Sequence, residues 1–329
     1  MMSFESRRSV ATMTWISQAS PRKSDSVTAA LSSPESSSNF ASTASLSVTS
    51  TIGEPRIVPP SRRIYIVSRF CSVVDRLKDF KDIFNFPDGK CASISLSDAL
   101  TTLEERTKAV EGVVKFLAGE KGGKLVTGIR NEWYPVGTSF SSKPSFYLER
   151  AAAPYFGIKA YGVHMNGFIE REGDKQLWIG KRSATKPTYP GMLDHLVAGG
   201  LPSGVPCQEN LIKECEEEAG IPKSLALQAT PVGAVSYQTI KGYQFKRDVL
   251  FCYDLKLPED FEPKIVDGEV ESFMLMPVDD VANVIRRTNY FKENCNLVII
   301  DFLFRHGYIS PECHGYLKVL SCLRSGDCS

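Results

Sequence analysis

At 329 residues, with 42% hydrophobic and 10% aromatic side chains, the chain is long enough for one large domain or two ordinary ones, each with a sizeable core. A formal net charge of +1 offers no electrostatic footprint for nucleic acid or an anionic membrane, so neither is expected as a partner. No window approaches the ~18 consecutive apolar residues of a membrane-spanning helix.

The first 55 residues differ from the rest. Sixteen of the first fifty are Ser, and large aliphatic side chains are few. Such a stretch buries too little apolar surface to offset its ordering entropy. With early basic residues at Arg7, Arg8, Arg22 and Lys23 and no continuous apolar segment, residues 1–55 read as a disordered transit peptide, blemished by Glu5, Asp25 and Glu35. Targeting to a chloroplast is expected, with mitochondrion or cytosol as alternatives.

A globular pattern begins near Ile64. Val74, Leu77 and Phe80 recur at helical spacing within 73–84. A broken apolar stripe, Leu100, Leu103, Val110, Val113, Val114 and Leu117, predicts a second helix ended by Gly122-Gly123. Strand character follows over 132–148. Residues 60–155 are therefore expected to form a small α+β domain.

Residues 156–325 form the next expected domain. Apolar runs at 161–169 and 176–181 flank Glu172-Gly173-Asp174 and predict a hairpin. Strands fit 232–237, 248–255 and 269–275. Helices fit 278–287 and 296–306, with Gly307 past the end of the second. Strands with interspersed helices predict a mixed sheet covered on both faces, an α+β class. The nine cysteines form no C-x-x-C pair, and His164, His195, His306 and His314 are not spaced as zinc partners. The cysteines read as small buried apolar residues in a reducing compartment.

The segment AGGLPSGVPCQENLIKECEEEAGI, residues 198–221, carries the chemistry. Its glycines and prolines make a loop, and a helix runs over 207–219 with Gly220 as a left-handed cap. Leu211, Cys215 and Ala219, joined by Ile212, make the buried stripe. Glu214, Glu217 and Glu218 stand at i, i+3 and i+4, so their carboxylates share a different face, while Glu209 and Glu216 are solvated. Three like charges near a helix C-terminus repel one another and oppose the macrodipole. A hard divalent cation such as Mg²⁺, which prefers oxygen ligands, would relieve that cost, although the three glutamates taken alone read more readily as a solvated polar helix face.

This segment resembles the Nudix box, G-x5-E-x7-R-E-U-x-E-E-x-G-U, where U is a bulky apolar residue. Gly199, Glu214, Glu217, Glu218 and Gly220-Ile221 match it, whereas Val205 replaces the first Glu and Lys213 the Arg. The resemblance implies a Nudix α/β/α sandwich and a metal bound by Glu214, Glu217, Glu218 and the carbonyl of Gly199. Lys213 keeps a positive charge beside Glu214 but loses the fork of Arg. The proton of the attacking water falls to a box carboxylate, Glu214 or Glu217, or to Glu269 or Glu271, which strand alternation places on one face. Lys181 and Arg182 are candidates to hold the other phosphate. Trp178, Tyr237 and Phe245 are candidates to stack on a ring, though each more often reads simply as core.

The stretches HLVAGGLPSG, LIKECEEEAGI, RDVLFCYDL and LVIIDFLFRHG resemble plant chloroplast Nudix hydrolases with an extra N-terminal domain, related to the Nudix part of yeast thiamine pyrophosphokinase. The implied substrate is a small-molecule diphosphate, an oxidised thiamine diphosphate or a nucleoside diphosphate derivative such as ADP-ribose. Two alternatives compete: an isopentenyl-diphosphate-isomerase-like enzyme, which needs a Cys and Glu pair, and a Nudix-fold binding module with little activity.

Overall fold

The computed structural model describes residues 63–64, 71–86 and 94–326. The leader expected over 1–55 lies outside these residues. In chain order the elements are β1 (Arg63–Ile64), α1 (Cys71–Leu77), β2 (Phe84–Asn85), β3 (Ile94–Leu96), α2 (Leu103–Ala118), β4 (Trp133–Val136), β5 (Phe146–Glu149), a 3₁₀ turn (Arg150–Tyr155), β6 (Lys159–Arg171), β7 (Asp174–Arg182), β8 (Leu193–Asp194), β9 (Val197–Gly200), α3 (Cys207–Ala219), α4 (Lys223–Ala226), β10 (Thr230–Lys241), β11 (Gln244–Lys256), β12 (Val270–Pro277), α5 (Val278–Arg287), α6 (Glu293–Arg305) and α7 (Tyr316–Cys322). Two compact units result. One takes Ala160–Tyr237 and the described residues from Asp248 onward; the other takes the described residues up to Lys159 together with Gln238–Arg247.

In the N-terminal unit, α2 starts at a capping box. Thr102 accepts from the Glu105 backbone N–H at 3.1 Å, and the Glu105 carboxylate accepts from the Thr102 N–H at 3.0 Å. Val110, Val113, Val114 and Leu117 are buried along one face. The helix ends at Ala118, before the expected Gly122-Gly123, because the Gly119 N–H already returns to Lys115 and Phe116. Gly122 is needed for another reason: a β-carbon there would stand 2.1 Å from the Phe116 carbonyl oxygen. The helix expected over 73–84 is shorter, since α1 stops at Leu77 and Phe84 begins a strand whose side chain is buried. Strand character over 132–148 resolves into the antiparallel pair β4–β5. The tip of the β10–β11 hairpin belongs to this unit, with Gln244 Nε2 donating to the Tyr155 hydroxyl at 2.9 Å and Arg247 Nη1 to the Gly157 carbonyl at 3.1 Å.

The other unit is a mixed sheet in the order β10-β11-β6-β7-β12, with β8 beside β7 and β9 beside β6. Strand alternation divides its side chains between two cores. Leu177, Ile179, Leu250 and Cys252 face a cluster built with α5, α6 and α7, through Val281, Ile285, Val298, Phe302 and Val319. Trp178, Phe251, Tyr253 and Leu255 face the opposite cluster, with Leu211, Cys215 and Ala219 of α3 and Ala226 of α4. The sheet is thus a layer between helices. The β6–β7 hairpin turns at Glu172-Gly173, both at positive φ, +52° and +91°. Cys215, Cys252 and Cys295 are buried as expected, but Cys313 is exposed. Among the described residues no helix is long and apolar enough to cross a membrane.

Candidate active site

The loop and helix of residues 197–221 are held together by short local contacts. β9 pairs antiparallel with β6, setting Gly199 opposite Val163 and Gly200 opposite Gly162. The Gly200 carbonyl accepts from Asn210 Nδ2 at 3.1 Å, tying the loop to the first turn of α3. Asn210 is fully buried, a structural role its sequence position does not reveal, because an amide in a helical register reads as solvated. Gly220 caps α3 at φ +61°, and the Ile221 N–H returns to the Cys215 carbonyl at 2.9 Å.

Glu214 packs directly on Gly199. A β-carbon at residue 199 would fall 2.2 Å from Glu214 Cδ and 2.3 Å from its Oε1, so only glycine lets the carboxylate lie against the β9 backbone. Glu218 lies alongside, its Oε2 accepting from the Ala198 N–H at 2.9 Å. Burial pushes the Glu218 carboxyl up to about 8; the Ala198 bond opposes this, and the charges of Asp194 and Glu214 add to it. Glu217 points outward, paired with Lys213 at 2.9 Å, so the lysine's charge is directed to Glu217 rather than kept for Glu214 alone. The three box carboxylates share one helix side, but among the described residues their oxygens form no group within 4.8 Å of one another.

The remaining expected residues divide. Lys181 is paired with Glu271 at 2.7 Å across β7 and β12. Arg182 donates to Asp194 at 2.7 Å and to the carbonyls of Tyr189 and Thr188 at 3.1 and 3.0 Å, so its guanidinium is already committed within the protein. Regular alternation over 269–271 does not hold, because the β12–β7 register shifts between Val270 and Ser272. Glu269, paired with Lys186, lines a small cavity with Glu218, Ala198, Arg182 and His195; Glu271 is exposed and does not. Trp178 and Tyr237 pack against the two cores, and Tyr237 also bonds Asp248. Phe245 lies on the hairpin tip assigned to the other unit.

Sequence reading also missed a buried polar centre. Asp194 meets Arg182, Lys292 at 3.1 Å, Cys295 Sγ at 2.7 Å and the His195 backbone N–H at 2.9 Å. Burial alone would raise its carboxyl, but Lys292, His195 and Arg182 hold it well below the usual range. Asp194, His195 and Cys295 form the one group of three His, Cys, Asp or Glu ligand atoms found within 4.8 Å among the described residues. Two cations already occupy it, which makes it an ion-pair centre rather than a metal cage.

Residues 161–294 match the NUDIX domain, and residues 66–160 match a domain of unknown function (DUF4743). Over 271 residues the chain is 60% identical to "Nudix hydrolase 20, chloroplastic" of Arabidopsis thaliana, covering 80% of this chain and 71% of that one. The chain belongs to the Nudix hydrolase family. A second Nudix relative, "Nudix hydrolase 24, chloroplastic" of the same plant, is 60% identical over 77% of this chain and 68% of its own. The uncharacterized protein YJR142W of Saccharomyces cerevisiae is 40% identical over 64% of each. As a Nudix hydrolase the protein acts on pyrophosphate bonds, and the family generally needs a divalent metal. The carboxylates on this face offer hard oxygen donors, which suits a divalent cation. The cradle of Gly199 against Glu214 leaves the loop backbone and that carboxylate side by side, as a shared cation requires.

Proposed function

We propose that the protein hydrolyses the diphosphate linkage of a small molecule bearing a bulky organic group, either an oxidised thiamine diphosphate or a nucleoside diphosphate derivative. The observation that carries this reading is the contact of Glu214 with the Gly199 backbone, with Glu218 anchored one turn further along α3. The Gly199 carbonyl, Glu214, Glu217 and Glu218 hold Mg²⁺ or Mn²⁺. The cation neutralises charge on the diphosphate when bound. Glu269 lines the same cavity as Glu218, which favours it over Glu271 as acceptor of the attacking water's proton. Glu214 and Glu217 stay in reserve for that role. Lys181 and Lys213, each paired with a carboxylate at the surface, supply exchangeable positive charge for a phosphate, and Arg182 acts by supporting the Asp194 centre.

Two compact units, with the box in the one that begins at Ala160, support a division into an N-terminal domain over 60–155 and a Nudix domain over 156–325. The chloroplastic names of the two plant relatives and the Ser-rich leader support a plastid location. The isomerase alternative gains nothing, since Cys215 is core-packed and burial pushes its thiol up to about 12. The test is a screen of diphosphate substrates with Mg²⁺ and Mn²⁺ on protein lacking residues 1–55. Release of a monophosphate from thiamine-type or nucleoside-type substrates supports the reading. Turnover of neither class in either metal sinks it.

A further inference from the structure

The N-terminal unit carries a cavity of its own. On α2, Glu111, Val114, Lys115 and Ala118 follow the i, i+3, i+4, i+7 repeat, so they share one side of the helix, and all four line it. Ile129, Trp133 and Glu149 line it as well. In the β4–β5 ladder Trp133 stands directly opposite Glu149, and residues paired in this way share one face. The cavity measures about 300 Å³, the lower end of the ~300–1,000 Å³ typical of small-molecule sites.

Its lining mixes apolar surface left open with an acidic group taken out of water. Trp133 and Ile129 are 36% and 44% exposed, whereas Glu149 is only 5% exposed. Glu149 Oε1 accepts from the Arg130 N–H at 3.0 Å and from the Ala151 N–H at 3.2 Å, the second bond capping the 3₁₀ turn. Nothing among the described residues donates to Oε2, and that oxygen is not sealed in the interior. Capping needs a single oxygen, which the shorter Asp, Asn or Ser supplies equally well, so it leaves Oε2 unexplained. The neighbouring cations are committed elsewhere, Lys115 to Glu111 and Arg150 to Glu132. An acidic group so far out of water is costly until a counter-ion joins it. Indole is also the side chain that best attracts a cation. We infer that this cavity binds a small planar organic cation bearing an N–H, which donates to Glu149 Oε2 while its ring lies against Trp133. Binding here does not depend on the diphosphate chemistry proposed above.

Benzamidine, a flat cation with N–H groups, and benzamide, its neutral isostere, test this on the full chain labelled with ¹⁵N. The indole N–H signal of Trp133, assigned as the one lost in Trp133→Phe, should shift saturably with benzamidine. Benzamide should bind about tenfold more weakly, because its N–H carries no charge to Glu149. Glu149→Gln keeps the capping oxygen and turns the open one into a donor. That variant should melt close to the wild type while its benzamidine affinity falls about tenfold. Trp133→Leu should lower the affinity about fivefold. Equal binding of the two probes, or undiminished binding to Glu149→Gln, reduces the cavity to an apolar cleft and overturns the inference. A Trp133 signal that moves with neither probe, or with inorganic phosphate in their place, overturns it too. If Glu149→Gln fails to fold, the benzamidine and benzamide titrations of the wild type decide.

Discussion

The carboxylate of Glu214 rests on the α-carbon of Gly199, so close that a β-carbon there would stand 2.2 Å from Glu214 Cδ. Neither partner has slack, because Gly199 lies in β9 under pairing to β6 and Glu214 projects from a helix whose next residue, Cys215, is core. Gly199→Ala must push the carboxylate away or bend the strand, at about 1–3 kcal/mol for such overpacking. The expected result is a modest fall in thermal midpoint with a large loss of Mn²⁺ affinity, read by titration. Unchanged affinity would remove Gly199 and Glu214 as a joint donor pair.

Glu217 is half exposed and pairs with Lys213 one turn back on α3. A surface pair of this kind contributes at most about 1 kcal/mol. Glu217→Gln should therefore leave the urea midpoint nearly unchanged while cutting turnover by orders of magnitude. Near-normal kcat in that variant would take Glu217 out of the metal site. Lys213→Met, by contrast, should cost turnover far less.

The pH dependence of Glu218 has a definite sign. Its folded-state carboxyl, at about 8, sits above the ordinary 4.5. Between those values the folded chain holds a proton that the unfolded chain has released, so this group makes the metal-free protein less stable as pH rises from 4.5 through about 8. Glu218→Gln should flatten that slope relative to the wild type in urea melts. Because metal binding takes the charged form, Mn²⁺ affinity should climb with pH and level off above about 8. A pH-independent affinity below that point would contradict the buried, shared carboxyl.

Asp194 balances Arg182 and Lys292 in the interior. Asp194→Asn leaves two buried cations facing a neutral amide, and removing one member of such a set costs about 3–5 kcal/mol. A large drop in the thermal midpoint is expected even with saturating Mg²⁺. If stability held and only turnover fell, Asp194 would belong to the reaction rather than to the scaffold.

Much of this arrangement is legible in the sequence wherever the signal is local. The helix over 207–219 and its stop at Gly220 follow from the apolar spacing of Leu211, Cys215 and Ala219 and from glycine's tolerance of positive φ, and both bounds agree with α3. The same holds for α5 at 278–287 and for the hairpin turning at Glu172-Gly173. Side-chain partners were not legible, since the Coulomb attraction of Lys181 to Glu271 or of Lys186 to Glu269 depends on strand register, not on sequence distance.

Three glutamates at i, i+3 and i+4 behind a glycine loop fall on one side of the helix whatever surrounds them, because the helical repeat alone puts them there. How each carboxylate is held depends on pairings between distant segments. Pairing β9 to β6 brings Gly199 beneath Glu214 and the Ala198 N–H to Glu218, while a shift of register in β12 separates Glu269 from Glu271. Asp194 and Lys292, 98 residues apart, meet because β8 and the start of α6 share one interior, where an unpaired charge of either sign would be too costly to leave.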